Sequence, residues 1–170
     1  LTQTASPCSW AAEQPTAADK QLASAAGKYG RGLYKMAAEE YEQFLQQNPR
    51  HDQSVSARYA LALCRYRLME YDVATKLIAE VLNDAKFPQR DEALAVLGHC
   101  YLMLKDNARA LVALERLLKE HPDSKHAESA ALNRVQLLYV SGKQADARQA
   151  GEGFLRDFPQ SAQRATALYF

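Results

Sequence analysis

Residues that favour strands are scarce in this chain: Val, Ile and Thr together number 13 of 170, against 30 alanines. Alanine is the best helix former and β-branched residues the best strand formers, so an all-β or α/β fold is excluded and an all-α one expected. An excess of one charge is also missing. Lys and Arg number 21 and Asp and Glu 20, a formal net charge of +1, whereas binding to a phosphate backbone needs clustered cations, so no nucleic-acid partner is expected. No apolar run approaches the roughly 20 residues that cross a bilayer. The longest candidate, residues 93–104, contains His99, and no transmembrane segment is expected. Cysteines are few (Cys8, Cys64 and Cys100) and show no disulfide framework or zinc spacing. A chain of this length buries a core without a metal or a staple, and no cofactor is expected.

Catalytic motifs are missing as well. The sequence contains no G-x-S-x-G, H-E-x-x-H, P-loop or G-x-G-x-x-G pattern. His99 and Cys100 adjoin on a helical stretch, where neighbours point to different faces and cannot act together as base and nucleophile. His121 and His126 flank Pro122 with no third ligand spaced for a metal, and are expected to be solvent-exposed. No enzyme activity and no metal site are expected.

What the chain does have is a period. Prolines stand at 49, 88, 122 and 159, and Ala37, Ala74, Ala110 and Ala147 recur at near-constant intervals. Between each Ala and the next Pro lie apolar residues at helical spacing: Tyr41 and Phe44, Ile78 and Val81, Leu114 and Leu117, then Phe154 with Gly151. The clearest unit has Leu97-Gly98, Tyr101, Lys105-Asp106-Asn107, Ala110, Leu114, Leu117 and Pro122. Small residues let two helices approach, and larger apolar ones fill the seam between hairpins. Helix pairs are expected at about 17–30 and 33–48, 54–69 and 71–84, 90–104 and 106–120, and 125–141 and 143–157, with a ninth helix beginning near 162. Thr16 with Asp19 looks like a capping box, and Gly142 like a C-cap.

This pattern of Leu-Gly, Tyr, a short turn, Ala, two apolar positions and Pro resembles the tetratricopeptide repeat (TPR). The resemblance covers about residues 17–170. It implies a right-handed α-solenoid of about four helical hairpins (repeats near 17–50, 54–87, 90–123 and 125–160) plus a partial unit over 161–170. Pro122-Asp123-Ser124 and Pro159-Gln160-Ser161 resemble the linkers of bacterial cell-envelope TPR proteins, of the outer-membrane assembly lipoprotein and Tol-Pal-associated types.

TPR proteins contact partners through the first helix of each hairpin. Carried onto this sequence, the resemblance places Tyr59, Leu63, Tyr66, Arg67, His99, Leu102, Met103, Gln136 and Tyr139 on a concave face that binds a peptide or partner helix. The competing reading for each is packing between neighbouring first helices. The Lys, Asn and Arg set that clamps a C-terminal carboxylate in chaperone-type TPR domains is missing: Leu22, Ala26, Leu63 and Ala95 stand there. Arg58, Arg65 and Arg67 form either a basic strip or a solvated helix edge. Cys64 and Cys100, at one repeat position, are expected to be buried thiols.

Residues 1–16 are small and almost uncharged, and are expected to be either the remnant of a secretory signal or a disordered leader. A signal, with the linker resemblance, favours an exported, periplasmic location. The expected function is a non-enzymatic protein-interaction module, part of a larger envelope protein. The alternatives are a structural segment that self-associates through its C-terminal end, and a regulatory TPR segment of a larger enzyme.

Overall fold

The computed structural model describes residues 14–170; the expectations for a leader or signal remnant and for Cys8 lie outside the described residues. The described residues form nine helices and no strand: α1 (Ala17–Gly30), α2 (Tyr34–Gln47), α3 (Ser54–Arg67), α4 (Tyr71–Leu82), α5 (Arg90–Met103), α6 (Asn107–Glu120), α7 (Ala127–Val140), α8 (Gln144–Asp157) and α9 (Arg164–Tyr169). Each helix packs chiefly on the helices before and after it in the chain, so four hairpins stack sequentially into a solenoid. The first helix is capped as its residues require. The Thr16 amide donates to Asp19 Oδ2 at 2.9 Å, and the Asp19 amide to Thr16 Oγ1 at 3.1 Å.

The periodic alanines sit where helices touch. Ala37, Ala74, Ala110 and Ala147 are wholly buried, as are Phe44, Ile78 and Leu117, with Val81, Leu114 and Phe154 nearly so. Tightest of these contacts is α5 against α6: a Cβ added at Gly98 would lie 2.8 Å from Leu114 Cδ2. Only a residue without a side chain lets the two axes come this close.

All four hairpin turns share one geometry. At the second, the Met69 amide donates to the Tyr66 carbonyl at 3.0 Å and the Glu70 amide to the Arg65 carbonyl at 2.9 Å, the paired bonds of a Schellman motif. The same bonds recur around Gly32, Lys105 and Gly142. The motif needs a left-handed residue, and φ is +77° at Gly32, +61° at Met69, +58° at Lys105 and +74° at Gly142. Two turns use glycine. The other two hold a side chain in a conformation that L-residues avoid.

Opposite the turns, linkers join one hairpin to the next. The Ser124 hydroxyl donates to Asp91 Oδ2 at 2.7 Å and accepts from the His126 amide at 3.1 Å. Ser161 repeats this one unit on, donating to Glu128 Oε1 at 2.6 Å and accepting from the Gln163 amide at 2.9 Å. The Pro-x-Ser linker therefore ties the start of each first helix to the start of the one before. Its serine turn delays α7 to Ala127 and α9 to Arg164, a few residues later than periodicity alone indicates. In the first linker His51 takes the serine's place, its Nδ1 accepting from the Gln53 amide at 3.2 Å. The second linker lacks a serine. There Arg90 caps the end of α4, donating to the carbonyls of Leu82 (2.9 Å) and Asp84 (2.8 Å).

Two measurements test this frame. Gly98→Val forces Leu114 out of its place and lowers unfolding free energy by about 2 kcal/mol, read by urea titration. Ser124→Ala removes the hydrogen bond that most strongly holds the Asp91 carboxyl below its ordinary value of 3.8. A carboxyl depressed by folding stabilises above its unfolded value, and that contribution disappears as pH falls through the depressed one. Ser124→Ala is thus less stable by about 1 kcal/mol at pH 7, and the gap narrows as the pH drops below 3.8.

Candidate functional site

First helices line one face of the stack. Between α1, α3 and α5 they leave an open groove of about 460 Å³, walled by Leu22, Ala26, Tyr29, Ser56, Tyr59, Ala60, Leu63 and Glu92. Small residues on α1 and α3 open this space: Ala26 and Ala60 stand where larger side chains would close it. Tyr59 lies beneath. Its ring meets Phe87 edge-on with centroids 5.1 Å apart, and its hydroxyl is buried without a hydrogen-bond partner among the described residues. Burial, reinforced by the nearby carboxylates of Glu92 and Asp91, pushes this phenol far above its ordinary value, so it remains a neutral O–H donor.

An aromatic shelf continues from the groove toward the hairpin turns. Tyr66 and His99 meet edge-on at 5.5 Å, with the Tyr66 hydroxyl 3.2 Å from His99 Nδ1. Tyr71 approaches the other side of Tyr66 at 6.0 Å. The Arg67 guanidinium stands 5.9 Å from the Tyr66 ring centroid, and the Tyr29 hydroxyl beside it favours its charged form. Tyr29 in turn packs on Tyr34 at 5.4 Å. Chemically, the arrangement offers an apolar trough, one buried donor, one exposed cation and several amphipathic rings. It holds no nucleophile–base pair. Among the described residues no group of three or more His, Cys, Asp or Glu could hold a metal.

Of the nine sequence-derived residues, the structure brings five together: Tyr59 and Leu63 in the groove, and Tyr66, Arg67 and His99 on the shelf. Leu102 is half-buried and Met103 half-exposed at the end of α5, and Gln136 is half-buried on α7. Tyr139 stands apart, its ring 5.2 Å from that of Phe170. The spacing argument missed Tyr34 and Tyr71. Both open the second helix of a hairpin, 37 positions apart, so the repeat period itself could have found them.

Two expectations change. Arg58 and Arg65 form no basic strip: Arg58 pairs with Glu80 at 3.0 Å, and Arg65 with Glu42 at 2.5 Å and Glu70 at 2.6 Å, which leaves Arg67 alone on the shelf. His121 and His126 are half-buried rather than exposed. Arg67 stays exposed on the helix edge, beside Tyr29. Cys64 and Cys100 are buried free thiols, and burial pushes them up to about 11 and about 12. In a Cys8→Ser chain, an aromatic disulfide reagent therefore labels neither at pH 8 in the native state and both in denaturant.

The fold defines the class: this is a TPR-type solenoid. Residues 89–170, just under half the chain, match the model of the YfiO family, described as an outer membrane lipoprotein. PilF of Pseudomonas aeruginosa is similar in structure, with a TM-score of 0.69 and 26% identity over 91% of this chain and 66% of that one. The chain thus spans slightly under two thirds of PilF. YrrB, a TPR protein with an unusual peptide-binding site, aligns with a TM-score of 0.71 and 16% identity over 89% of this chain and 73% of that one. The TPR2AB domain of yeast Sti1, in a complex with pHSP90, aligns at 0.52 and 17% identity over 89% and 70%. No curated protein matches the sequence.

Proposed function

We propose that the chain is a non-enzymatic interaction module that receives a segment of a partner protein in the groove between α1, α3 and α5. The observation that carries this reading is the open apolar trough itself, about 460 Å³, with Leu22, Ala26, Ala60 and Leu63 in its wall and the Tyr66–His99 shelf at its end. An apolar segment laid in the trough covers that surface, at roughly 25 cal/mol for each Å² removed from water. Leu63 supplies the apolar wall. Tyr66, Arg67 and His99 grip the segment as it leaves toward the turns, and Leu102 and Met103 extend the apolar path along α5. In this reading Gln136 and Tyr139 contact only a longer ligand that crosses to α7. The peptide-binding site of YrrB and the pHSP90 complex of Sti1 support the mode, and the match to an outer membrane lipoprotein family supports an envelope setting within a larger protein.

A second reading, self-association, draws on Leu168 and Tyr169. Both are largely exposed on α9, an apolar pair that a second copy of the chain would cover.

The test is a random peptide phage library panned on the chain, with the best peptide's affinity measured by fluorescence anisotropy. Leu63→Arg weakens binding at least about tenfold at unchanged helicity, the loss expected when a charge enters an apolar contact. Tyr66→Ala, which removes the ring at the end of the trough, weakens binding at unchanged helicity. Undiminished affinity in both variants overturns the groove assignment. A dimer that Leu168→Ser dissociates, with no peptide affinity, selects the second reading.

A further inference from the structure

The hairpin-turn edge of the solenoid differs in kind from the linker edge. Large apolar side chains are exposed at every turn: Leu33 and Met36 at the first, Met69 at the second, Met103 and Leu104 at the third, Val140 at the fourth. Met69 is 74% exposed and Val140 62%. No linker exposes a large apolar side chain among the described residues. Charge divides in the same way. The linkers are balanced, Arg50 with Asp52, Asp84 with Lys86, Asp123 with Lys125, and the fourth has neither sign. Around the turns Arg31 and Lys35 form no ion pair among the described residues at the first, Lys105 stands beside an Arg109 that pairs with Asp106 at 2.6 Å at the third, and Lys143 and Arg148 outnumber Asp146 at the fourth. The second turn, which exposes Met69, carries Glu70 and Asp72, balanced by Arg65 and Arg67 at the end of α3.

Backbone conformation is an independent sign that this edge is put to use. Position for position, the left-handed residue is Gly32, Met69, Lys105 and Gly142. Glycine adopts this conformation without strain, yet two turns hold there a long apolar residue and a cation, both exposed. Neither side chain improves the turn. Both point a methionine and an ammonium away from the fold, at the crest of the edge.

From this we infer that the turn edge docks on an anionic phospholipid bilayer, with Met69, Leu104 and their neighbours entering the interface and the cations meeting lipid phosphates. A row of separated apolar points with cations between them suits a planar, deformable surface, because each point inserts without a preformed pocket. A protein partner would have to offer a matching series of pockets at the spacing of the repeats. The complementary charge is negative, which selects an anionic headgroup over a zwitterionic one. Docked this way, the solenoid lies with its stack axis along the membrane and leaves the linkers facing away.

The test is sedimentation of the full chain with vesicles of phosphatidylcholine containing about 30% phosphatidylglycerol, beside vesicles of phosphatidylcholine alone. Partitioning to the anionic vesicles is expected, and at least about fivefold less to the neutral ones. Met69→Gly is the decisive variant. It removes the left-handed strain, so the melting temperature rises while vesicle partitioning falls at least about threefold, and misfolding cannot explain that pair of results. Lys35→Glu with Lys143→Glu reduces partitioning, whereas Lys86→Glu with Lys125→Glu on the linker edge leaves it unchanged. No sedimentation with anionic vesicles overturns the inference. So does equal loss from both charge-reversed pairs, or a Met69→Gly chain that partitions like the parent. Affinity for a DNA duplex that exceeds vesicle binding and ignores Met69→Gly would assign the edge to a polyanion instead.

Discussion

Everything in this solenoid depends on how closely helices approach at positions that carry almost no side chain. Ala37, Ala74, Ala110 and Ala147 are wholly buried at the crossing of each hairpin, and Gly98 lets Leu114 reach the backbone of α5. A repeat array has no single centre. Its apolar clusters run from one hairpin into the next, as Tyr59, Ala62 and Ile78 share a cluster with Ala93, Leu97 and Leu114. Stability is then a chain of neighbour interfaces. An extra methyl group at a crossing would change the pitch of the stack and, with it, the width of the groove and the spacing of the turns.

Around that frame the polar work is divided by edge. On the linker edge Ser124 and Ser161 carry hydrogen bonds from one hairpin to the preceding one, and Arg90 does so where no serine exists. On the flanks, ion pairs such as Lys28 with Glu40 and Arg134 with Glu115 join successive helices. The concave face is treated differently. Tyr59 is left without a partner, and Tyr66, His99 and Arg67 are engaged mainly with one another. A surface whose polar groups engage mainly one another keeps bonding capacity to offer a ligand.

Much of the architecture was legible because it is periodic. The recurrence of Ala, of an apolar pair and of Pro located every hairpin, and Thr16 with Asp19 marked the first helix start. The Pro-x-Ser linker was recognisable, but its use was not. That Ser124 reaches Asp91, 33 positions earlier, depends on successive first helices starting side by side. The groove was legible in part: Tyr66 and His99 share a face by their repeat positions. Tyr34 and Tyr71 escaped because attention to first helices leaves out the residue that opens the second. Arg65 was misjudged for a related reason. Its partners Glu42 and Glu70 come from α2 and from the turn, and no spacing within α3 reveals them.

The sequence by itself determined the helices, their pairing and their order, because local propensity and a fixed period act over fewer than forty residues. It also determined which residue would stand at each turn, including the unexpected Met69 and Lys105. Only the tertiary structure decided which side chains have partners. Tyr59 is buried and unpaired since Phe87 and α5 close over it, Tyr139 is drawn aside by Phe170, and Arg65 is absorbed by two carboxylates from other elements. Each of those outcomes depends on contacts between segments distant in the chain, set by the pitch at which one hairpin rests on the next.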